Sequence, residues 1–141
     1  MIAVDTNVLV YAHREGMEQH ERGLQALTAL AEGDEPWGLP IFVVNEFLRV
    51  VTHPRVFPVA SSRGQATAAV EAVLDSPTVR LLRPGARFWP LLTDSLDDAD
   101  ATGNLVLDAA IVAVCREHGA GTVLTADRDF RRFTSIRVKA L

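Results

Sequence analysis

Short apolar runs alternate along this chain with segments of helical length, and no other feature constrains the fold as much. Four runs are short enough to be buried strands: 2–4, 37–39, 79–82 and 122–125. Five longer segments have the length or the apolar spacing of helices: 17–32, 41–52, 63–74, 86–94 and 104–118. This alternation predicts an α/β domain with a mainly parallel central sheet.

Turn-forming residues divide these segments. Prolines and serines at 53–62 and polar residues at 95–103 predict loops, and His118-Gly119 resembles a helix C-cap. Pro40 stands where proline favours the start of a helix. Three weaker patterns complete the prediction: a short helix or turn at 8–12, a helical turn at 129–133 and a last strand at 136–138.

The composition is that of a globular domain, with 48% hydrophobic and 23% charged residues in 141. This length predicts one domain over residues 1–141. Neither a run of ~18 apolar residues nor a basic leader segment is present, so we expect a cytoplasmic protein without a membrane association. Cys115 is the only cysteine, which excludes an intrachain disulfide and argues against a cysteine metal site.

Four acidic residues occupy unusual positions. Glu46 interrupts the apolar stretch IFVVNEFLRVV, and Asp108 interrupts GNLVLDAAIVAVCREHG. Asp5 directly follows the first strand, and Asp127 follows the strand at 122–125. In parallel sheets the ligand site lies beyond the carboxyl ends of the strands. If these two strands are neighbours, Asp5 and Asp127 share that edge, and the two helix acids can point at it.

Four carboxylates in one pocket require compensation. Two unit charges about 5 Å apart cost roughly 3 kcal/mol at an effective dielectric constant near 20, so such a cluster retains protons or binds a cation. Oxygen ligands without cysteine or clustered histidine favour Mg²⁺ or Mn²⁺. A hard cation in such a pocket suits phosphodiester hydrolysis. The net charge of −4 argues against a passive nucleic-acid coat protein, but it is compatible with this kind of enzyme.

Each acid alone also has a simpler interpretation. Asp5 could cap the following helix, and Asp127 could be a turn residue. Glu46 could be a paired buried acid, and Asp108 could lie on an exposed face. Two acids inside apolar helices, together with two at strand ends, favour a common site over four separate explanations.

Four stretches carry a resemblance to a known family: IAVDTNVLVYA, VNEFLRVVTHP, GNLVLDAAIVAV and LTADRDFRRF. The sequence resembles PIN domains, and within them the VapC ribonuclease toxins of bacterial toxin–antitoxin pairs, over the whole chain. This resemblance implies that Asp5 and Asp108 bind Mg²⁺, and that Glu46 and Asp127 complete the acidic pocket. It also implies a five-stranded parallel sheet, a homodimer, and a higher assembly with a VapB-like antitoxin whose C-terminal segment blocks RNA access.

Further residues are predicted around this pocket. Five polar side chains are expected to orient or flank the carboxylates: Thr6, Asn7, Asn104, Thr125 and Asp129. Asn104 lies four residues before Asp108, on the same helix face. Four arginines are candidates for RNA phosphate contacts: Arg14, Arg128, Arg131 and Arg132. The implied substrate is a structured RNA, such as a loop of a transfer or ribosomal RNA, which an Mg²⁺-activated water would cleave.

Two other functions remain open on sequence alone. The first is phosphoryl transfer through an aspartyl phosphate, which also uses an aspartate at a strand end beside Mg²⁺. Such proteins usually need a lysine near the phosphate, and the only lysine here is Lys139, close to the C-terminal residue. The second is a non-catalytic domain whose acidic pocket binds only a metal ion or a basic peptide.

Overall fold

Five parallel strands form one central sheet in the computed structural model, which describes all residues from 1 to 141. The strands are β1 (Ile2–Val4), β2 (Trp37–Pro40), β3 (Val79–Leu82), β4 (Thr122–Thr125) and β5 (Arg137–Ala140). Their order in the sheet is β3-β2-β1-β4-β5, and every neighbouring pair is parallel. The predicted α/β fold with a five-stranded, mainly parallel sheet is therefore confirmed.

Six α-helices and one short 3₁₀ helix connect the strands. They are α1 (Thr6–His13), α2 (His20–Glu32), α3 (Ile41–Val51), α4 (Arg63–Leu74), α5 (Phe88–Ala99), α6 (Leu105–Glu117) and the 3₁₀ helix Arg128–Arg132. Local sequence explains several ends. Ser62 and Gln65 form a reciprocal capping box at the start of α4. Gly119 takes a φ of +74° after α6, a conformation that glycine adopts without strain.

The strand order reverses between β1 and β4, and this reversal positions the site. The chain proceeds outward from β1 through β2 to β3, then returns past β1 to β4 and continues to β5. Because parallel crossovers are right-handed, connections that run in opposite directions place their helices on opposite faces. The helices diverge at this switch point and leave a crevice beyond the carboxyl ends of β1 and β4.

Helix α6 crosses the core. Its residues from Ala109 to Cys115 are all buried, and the helix packs against α5, α3 and β2. Cys115 is fully buried, and burial raises the pKa of its thiol to about 12, so it is an inert packing residue. Asp108 comes directly before this buried stretch, within the first turn of the helix and not in its middle.

The largest difference from the sequence-based prediction concerns α5. The segment 95–103 was predicted to be a loop because it is rich in aspartate, but the helix continues to Ala99. Ser95 and Ala99 are buried where α5 packs against α6. Asp98 accepts hydrogen bonds from Thr134 and Ser135, so its carboxylate joins α5 to the segment before β5. Tertiary packing overrides the local loop preference here.

Other boundaries differ by a few residues. Helix α2 begins at His20 and not at residue 17, and β5 occupies Arg137–Ala140 in place of 136–138. Helix α2 approaches α1 closely at Gly23, where a Cβ atom would lie 2.6 Å from the Tyr11 Cβ. This glycine therefore sets the position of α2 beside α1. None of the helices has both the length and the apolar character that crossing a membrane requires.

Candidate active site

Asp5 connects the sheet to α1. It follows β1, its backbone N–H donates to the Leu124 carbonyl at 3.0 Å, and its side chain is the N-cap of α1. One carboxylate oxygen, Oδ1, accepts the Thr6 N–H at 2.7 Å. The other, Oδ2, accepts from Asn7 Nδ2 at 2.8 Å and from Thr125 Oγ1 at 2.7 Å. The predicted capping role is thus real, and three donors also fix the orientation of a carboxylate that is only 5% exposed.

Thr125, the last residue of β4, joins both strand ends. Its hydroxyl donates to Asp5 and accepts from Asn7 Nδ2 at 3.1 Å and from the Asp127 N–H at 2.9 Å. The neighbouring, parallel pairing of β1 with β4 makes this possible, because it places Asp5 beside Thr125. Because β1 and β4 are neighbours, Asp5 and Asp127 lie at the same edge of the sheet, as the sequence predicts.

Glu46 and Asp127 border the same crevice from α3 and from the turn after β4. Glu46 Oε2 accepts the Thr6 hydroxyl at 3.0 Å, and Oε1 lies 3.6 Å from an exposed Arg49 guanidinium nitrogen. Asp127 Oδ1 accepts the Asp129 N–H at 2.8 Å, so it also caps the 3₁₀ helix. Asp127 is therefore both the capping residue of this turn and a residue of the site.

Asp108 differs from the other three acids because it accepts no hydrogen bond from the protein. It lies in the first turn of α6, where the helix dipole favours a negative charge. Burial, followed by repulsion from Asp5, Asp127, Glu46 and Asp129, raises the pKa of Asp108 to about 7. Of the four acids, Asp108 would therefore gain the most stabilisation from a bound cation.

The four acids line one cavity of about 230 Å³ at the switch point. Thr6 and Asn7 from the predicted surrounding residues also line it, as do three residues that were not predicted: Val10, Tyr11 and Val50. Their helical spacing could have identified them: Val10 and Tyr11 lie three and four residues after Asn7 on α1, and Val50 lies four residues after Glu46 on α3. The lining of the cavity includes four carboxylates and no cationic side chain.

Burial raises the pKa of Asp5 to about 6, although the hydrogen bonds from Thr125 and Thr6 oppose the shift. The charges of Glu46 and Asp127 raise the pKa further. Two carboxyl groups in one pocket thus have pKa values well above the ordinary 3.8. Both shifts have causes that a bound cation would offset.

The donor set fits a hard divalent cation that is held by few protein ligands. No three carboxylate, imidazole or thiolate groups converge closely enough to enclose one ion by themselves. Mg²⁺ usually takes one or two carboxylates and completes its coordination with water and phosphate oxygens. Asp108 has both carboxylate oxygens available, and Asp5 Oδ1 accepts only one hydrogen bond. The pair therefore meets the requirement without a closed cage.

Two residues predicted around the carboxylates lie outside this arrangement. Asn104 is the exposed N-cap residue of α6, its side chain makes no capping hydrogen bond, and it does not line the cavity. Its backbone angles are helical, φ −63° and ψ −25°, so it lies one turn before Asp108 as predicted, but its side chain is outside the cavity. Asp129 is exposed and acts through its backbone N–H on Asp127.

The four candidate arginines separate into two pairs. Arg14 donates to the Val59 carbonyl and to Ser61, and stacks on the Phe57 ring. Arg132 donates to the Ala99 carbonyl at 2.8 Å. Both guanidinium groups thus hold parts of the fold together. Arg128 and Arg131 line a separate cavity next to Asp127.

Comparison with known proteins agrees with this geometry. The family model of the PIN domain matches residues 2–135. The chain belongs to the PIN-domain family. Ribonuclease VapC43 of Mycobacterium tuberculosis is 45% identical over 137 residues, which cover 97% of this chain and 92% of the relative. Ribonuclease VapC25 of the same species is 39% identical over 137 residues, covering 97% and 96%. The prediction of a VapC-type endoribonuclease is confirmed at the level of the family, whose VapC members are generally metal-dependent.

Solved structures share the fold at low sequence identity. VapBC2 from Rickettsia felis, bound to a DNA fragment from its promoter, superposes with a TM-score of 0.69 at 17% identity and covers 100% of this PIN-domain chain and 99% of that one. VapC20 of Mycobacterium tuberculosis, a sarcin-ricin loop cleaving toxin, gives a TM-score of 0.69 at 22% identity, with coverage of 97% and 99%.

The structure does not support aspartyl-phosphate chemistry at this PIN-domain site. Lys139, the only lysine, lies on β5 beside Leu124 and is exposed. It does not line the acidic cavity that contains Asp5. The lysine that such phosphoryl transfer usually needs is therefore missing from the site.

The pKa shifts predict an unusual pH dependence of stability. Asp5 and Asp108 have raised pKa values, so between pH 4 and 7 the native state binds more protons than the unfolded chain, and stability falls as pH rises. In a chelator we expect the melting temperature to fall from pH 5 to pH 8 by roughly 5 °C. Mg²⁺ should reduce this fall. Scanning calorimetry at four pH values checks it, and a melting temperature that rises up to pH 8 in the chelator would contradict it.

Proposed function

We propose that this chain is an Mg²⁺-dependent endoribonuclease toxin that hydrolyses structured RNA, in transfer or ribosomal RNA loops, and that residues 1–141 act as a single PIN domain. Mn²⁺ is the expected substitute for Mg²⁺. The observation that carries the proposal is Asp108: an unpartnered carboxylate with a pKa of about 7 that faces three further acids at the switch point of the sheet. Membership of the PIN-domain family and the VapC relatives support it.

Asp5 and Asp108 would hold the ion. Asp5 is already oriented by Thr6, Asn7 and Thr125, so little rearrangement is needed when it binds. A divalent cation supplies Lewis-acid chemistry here, lowering the pKa of water and neutralising charge on the phosphate and the leaving oxygen. Asp5 directly follows β1 and Asp108 lies in the first turn of α6, so the two aspartates approach the crevice from the sheet and from a helix.

Glu46 and Asp127 act on the attacking water. Each has one carboxylate oxygen committed to an internal hydrogen bond, from Thr6 in one case and from the Asp129 N–H in the other. The remaining oxygens orient the water and accept its proton. The water oxygen bonds to phosphorus while the bond from phosphorus to the leaving sugar oxygen breaks, and that oxygen takes up a proton from solvent, so no covalent intermediate with the protein forms.

Neutralisation by a VapB-like antitoxin completes the proposal. VapBC2 from Rickettsia felis was solved as a toxin–antitoxin pair on promoter DNA, and it shares this fold. An apolar cavity of about 210 Å³ between α1, α2, α3 and α4 supports docking of an apolar antitoxin segment. We further propose a homodimer that assembles with the antitoxin into a larger complex. We propose no membrane association.

Removal of the metal tests the activity. Purified protein incubated with total bacterial RNA should generate discrete new 5′ ends with Mg²⁺, and none with EDTA or in the Asp5→Ala variant. Glu71→Ala is the matched control, because Glu71 is an exposed acid on α4 outside the cavity. Sequencing of the RNA ends identifies the substrate. Cleavage that persists in EDTA or in Asp5→Ala would refute the assignment, and metal binding without cleavage would favour a non-catalytic domain.

A further inference from the structure

A second cleft adjoins the acidic cavity and carries the opposite charge. Its volume is about 190 Å³, and its lining includes Arg22, Arg128 and Arg131. Asp127 lines both the cleft and the acidic cavity, so the two spaces share a border. We call the surface formed by the three arginines the arginine cleft. Arg128 and Arg131 are among the four arginines that the sequence predicts as RNA contacts, and Arg22 is not.

The three guanidinium groups come from different parts of the chain. Arg128 and Arg131 project from the 3₁₀ helix, are exposed, and take part in no ion pair. Arg22 extends from α2, and its Nη2 donates to the Leu141 carbonyl at 2.5 Å, just beyond β5. At the next residue, Gly23, α2 approaches α1 closely, since a Cβ atom there would lie 2.6 Å from the Tyr11 Cβ.

This concentration of positive charge is local. The whole chain has a net charge of −4, and only two ion pairs occur in the structure, neither of which includes an arginine of the cleft. Three arginines and one acidic side chain line the cleft, whereas four acidic side chains and no basic one line the neighbouring cavity. The Arg128 and Arg131 guanidinium groups make no hydrogen bond or ion pair within the protein, and Arg22 has further N–H donors beyond the one that binds Leu141, so all three can bind an anionic ligand.

A polyanion that enters the acidic cavity needs such a surface. The four carboxylates repel every phosphate of the strand, including the neighbours of the bond to be cut. Guanidinium groups bind phosphate oxygens with paired N–H donors, and these contacts position a nucleic acid without selecting its sequence. The shared border at Asp127 places the cleft where the strand continues from the cavity.

We propose that the arginine cleft binds the RNA backbone at a phosphate adjacent to the scissile one, and that Arg22, Arg128 and Arg131 are positioning residues for the substrate. The inference rests on the proposed ribonuclease function, because it takes the acidic cavity as the place of cleavage. Arg14 and Arg132 are excluded from this role, since neither lines the cleft.

The test measures binding separately from cleavage. The probe is a fluorescein-labelled 20-nucleotide RNA hairpin, titrated with the full-length protein in EDTA at several salt concentrations. We expect Arg22→Ala, Arg128→Ala and Arg131→Ala each to weaken binding about 3- to 10-fold and to reduce the slope of log K against log salt by ~0.7–0.9. Arg128→Lys should retain the slope, since it keeps the charge. With Mg²⁺, the KM for RNA should rise while kcat stays nearly constant.

Arg80→Ala is the matched control. Arg80 is exposed on β3, at the opposite edge of the sheet, and donates only to the nearby Pro77 and Val79 carbonyls. Its removal should leave the slope unchanged. Arg22→Ala also loses the contact with Leu141, and melting curves show whether this variant unfolds. If it does, Arg131→Ala still tests the cleft, because Arg131 takes part in no ion pair.

Each outcome decides between the two proposals. If the three cleft variants match Arg80→Ala, or weaken only the binding of an antitoxin protein, the cleft does not bind RNA, even where RNA cleavage is intact. If the variants lose salt dependence but the wild-type protein cuts no RNA in Mg²⁺, the cleft is supported and the ribonuclease function fails.

Discussion

Replacement of Asp108 by asparagine should abolish RNA cleavage and, at the same time, stabilise the metal-free protein. Cleavage should fall by roughly 10²- to 10⁴-fold, because a neutral amide is a poor ligand for Mg²⁺ and removes one of two proposed ligands. Stability should increase because Asp108 accepts no hydrogen bond and is repelled by Asp5, Asp127 and Glu46. Since the side chain is partly exposed, we expect a gain of only about 1 kcal/mol, or about 2–5 °C in melting temperature.

Calorimetry in EDTA at pH 8, combined with a cleavage assay in Mg²⁺, checks both halves. The gain should shrink towards pH 5, where protonation already neutralises the wild-type carboxyl. Glu71→Gln serves as the control for loss of a surface acid and should change neither quantity. If Asp108→Asn cleaves RNA normally, or melts earlier than wild type in EDTA at pH 8, the proposed role of Asp108 is wrong.

The same substitution at Asp5 should also abolish cleavage, but it should destabilise the protein. Asp5 accepts three hydrogen bonds, two at Oδ2 and one at Oδ1. An asparagine amide group in either orientation would point at a donor: the Thr6 N–H, or Asn7 Nδ2 and the Thr125 hydroxyl. Because Asp5 is only 5% exposed, water cannot compensate for the conflict. We expect a loss of roughly 2–3 kcal/mol, despite the removal of a buried charge.

Denaturant unfolding in EDTA measures the difference between the two variants. We expect the free energy of unfolding to fall in Asp5→Asn and to rise in Asp108→Asn, although both variants lose cleavage. This result would show that hydrogen bonds hold Asp5 in place, whereas charge repulsion destabilises Asp108. A double variant, Asp5→Asn with Thr125→Ala, should lose less stability than the sum of the losses in the two single variants, because both substitutions disrupt the same hydrogen bond. An Asp5→Asn protein as stable as wild type would show that the hydrogen-bond network around Asp5 contributes little.

The four acids were predictable because two independent patterns agreed on them. Strand ends in a parallel sheet place Asp5 and Asp127 at one edge, and a carboxylate inside an apolar helical stretch is costly unless it faces a site. The simpler interpretations were also partly correct, since Asp5 and Asp127 do cap helices. Capping and site formation use the same geometry: a side chain at the point where a strand ends and a helix begins.

Predictions that depended on exact helix limits were less successful. Asn104 is the N-cap residue of α6, one turn before Asp108, and its exposed side chain does not line the cavity. The loop predicted at 95–103 is helical up to Ala99, because packing against α6 and the hydrogen bonds to Asp98 stabilise the last turn. Local composition carries little information about such contacts, since the partners are distant in sequence.

By itself, the sequence determined the α/β class, the order of the elements and the identity of the four acids, because these depend on periodicity and on residues adjacent in the chain. Only the tertiary structure decided which side chains meet: that Thr125 joins Asp5 to Asp127, that Asp108 is left without a donor, and that Arg22 reaches the arginine cleft from α2. These contacts depend on strand order and helix packing, such as the approach of α2 at Gly23, which no local pattern encodes.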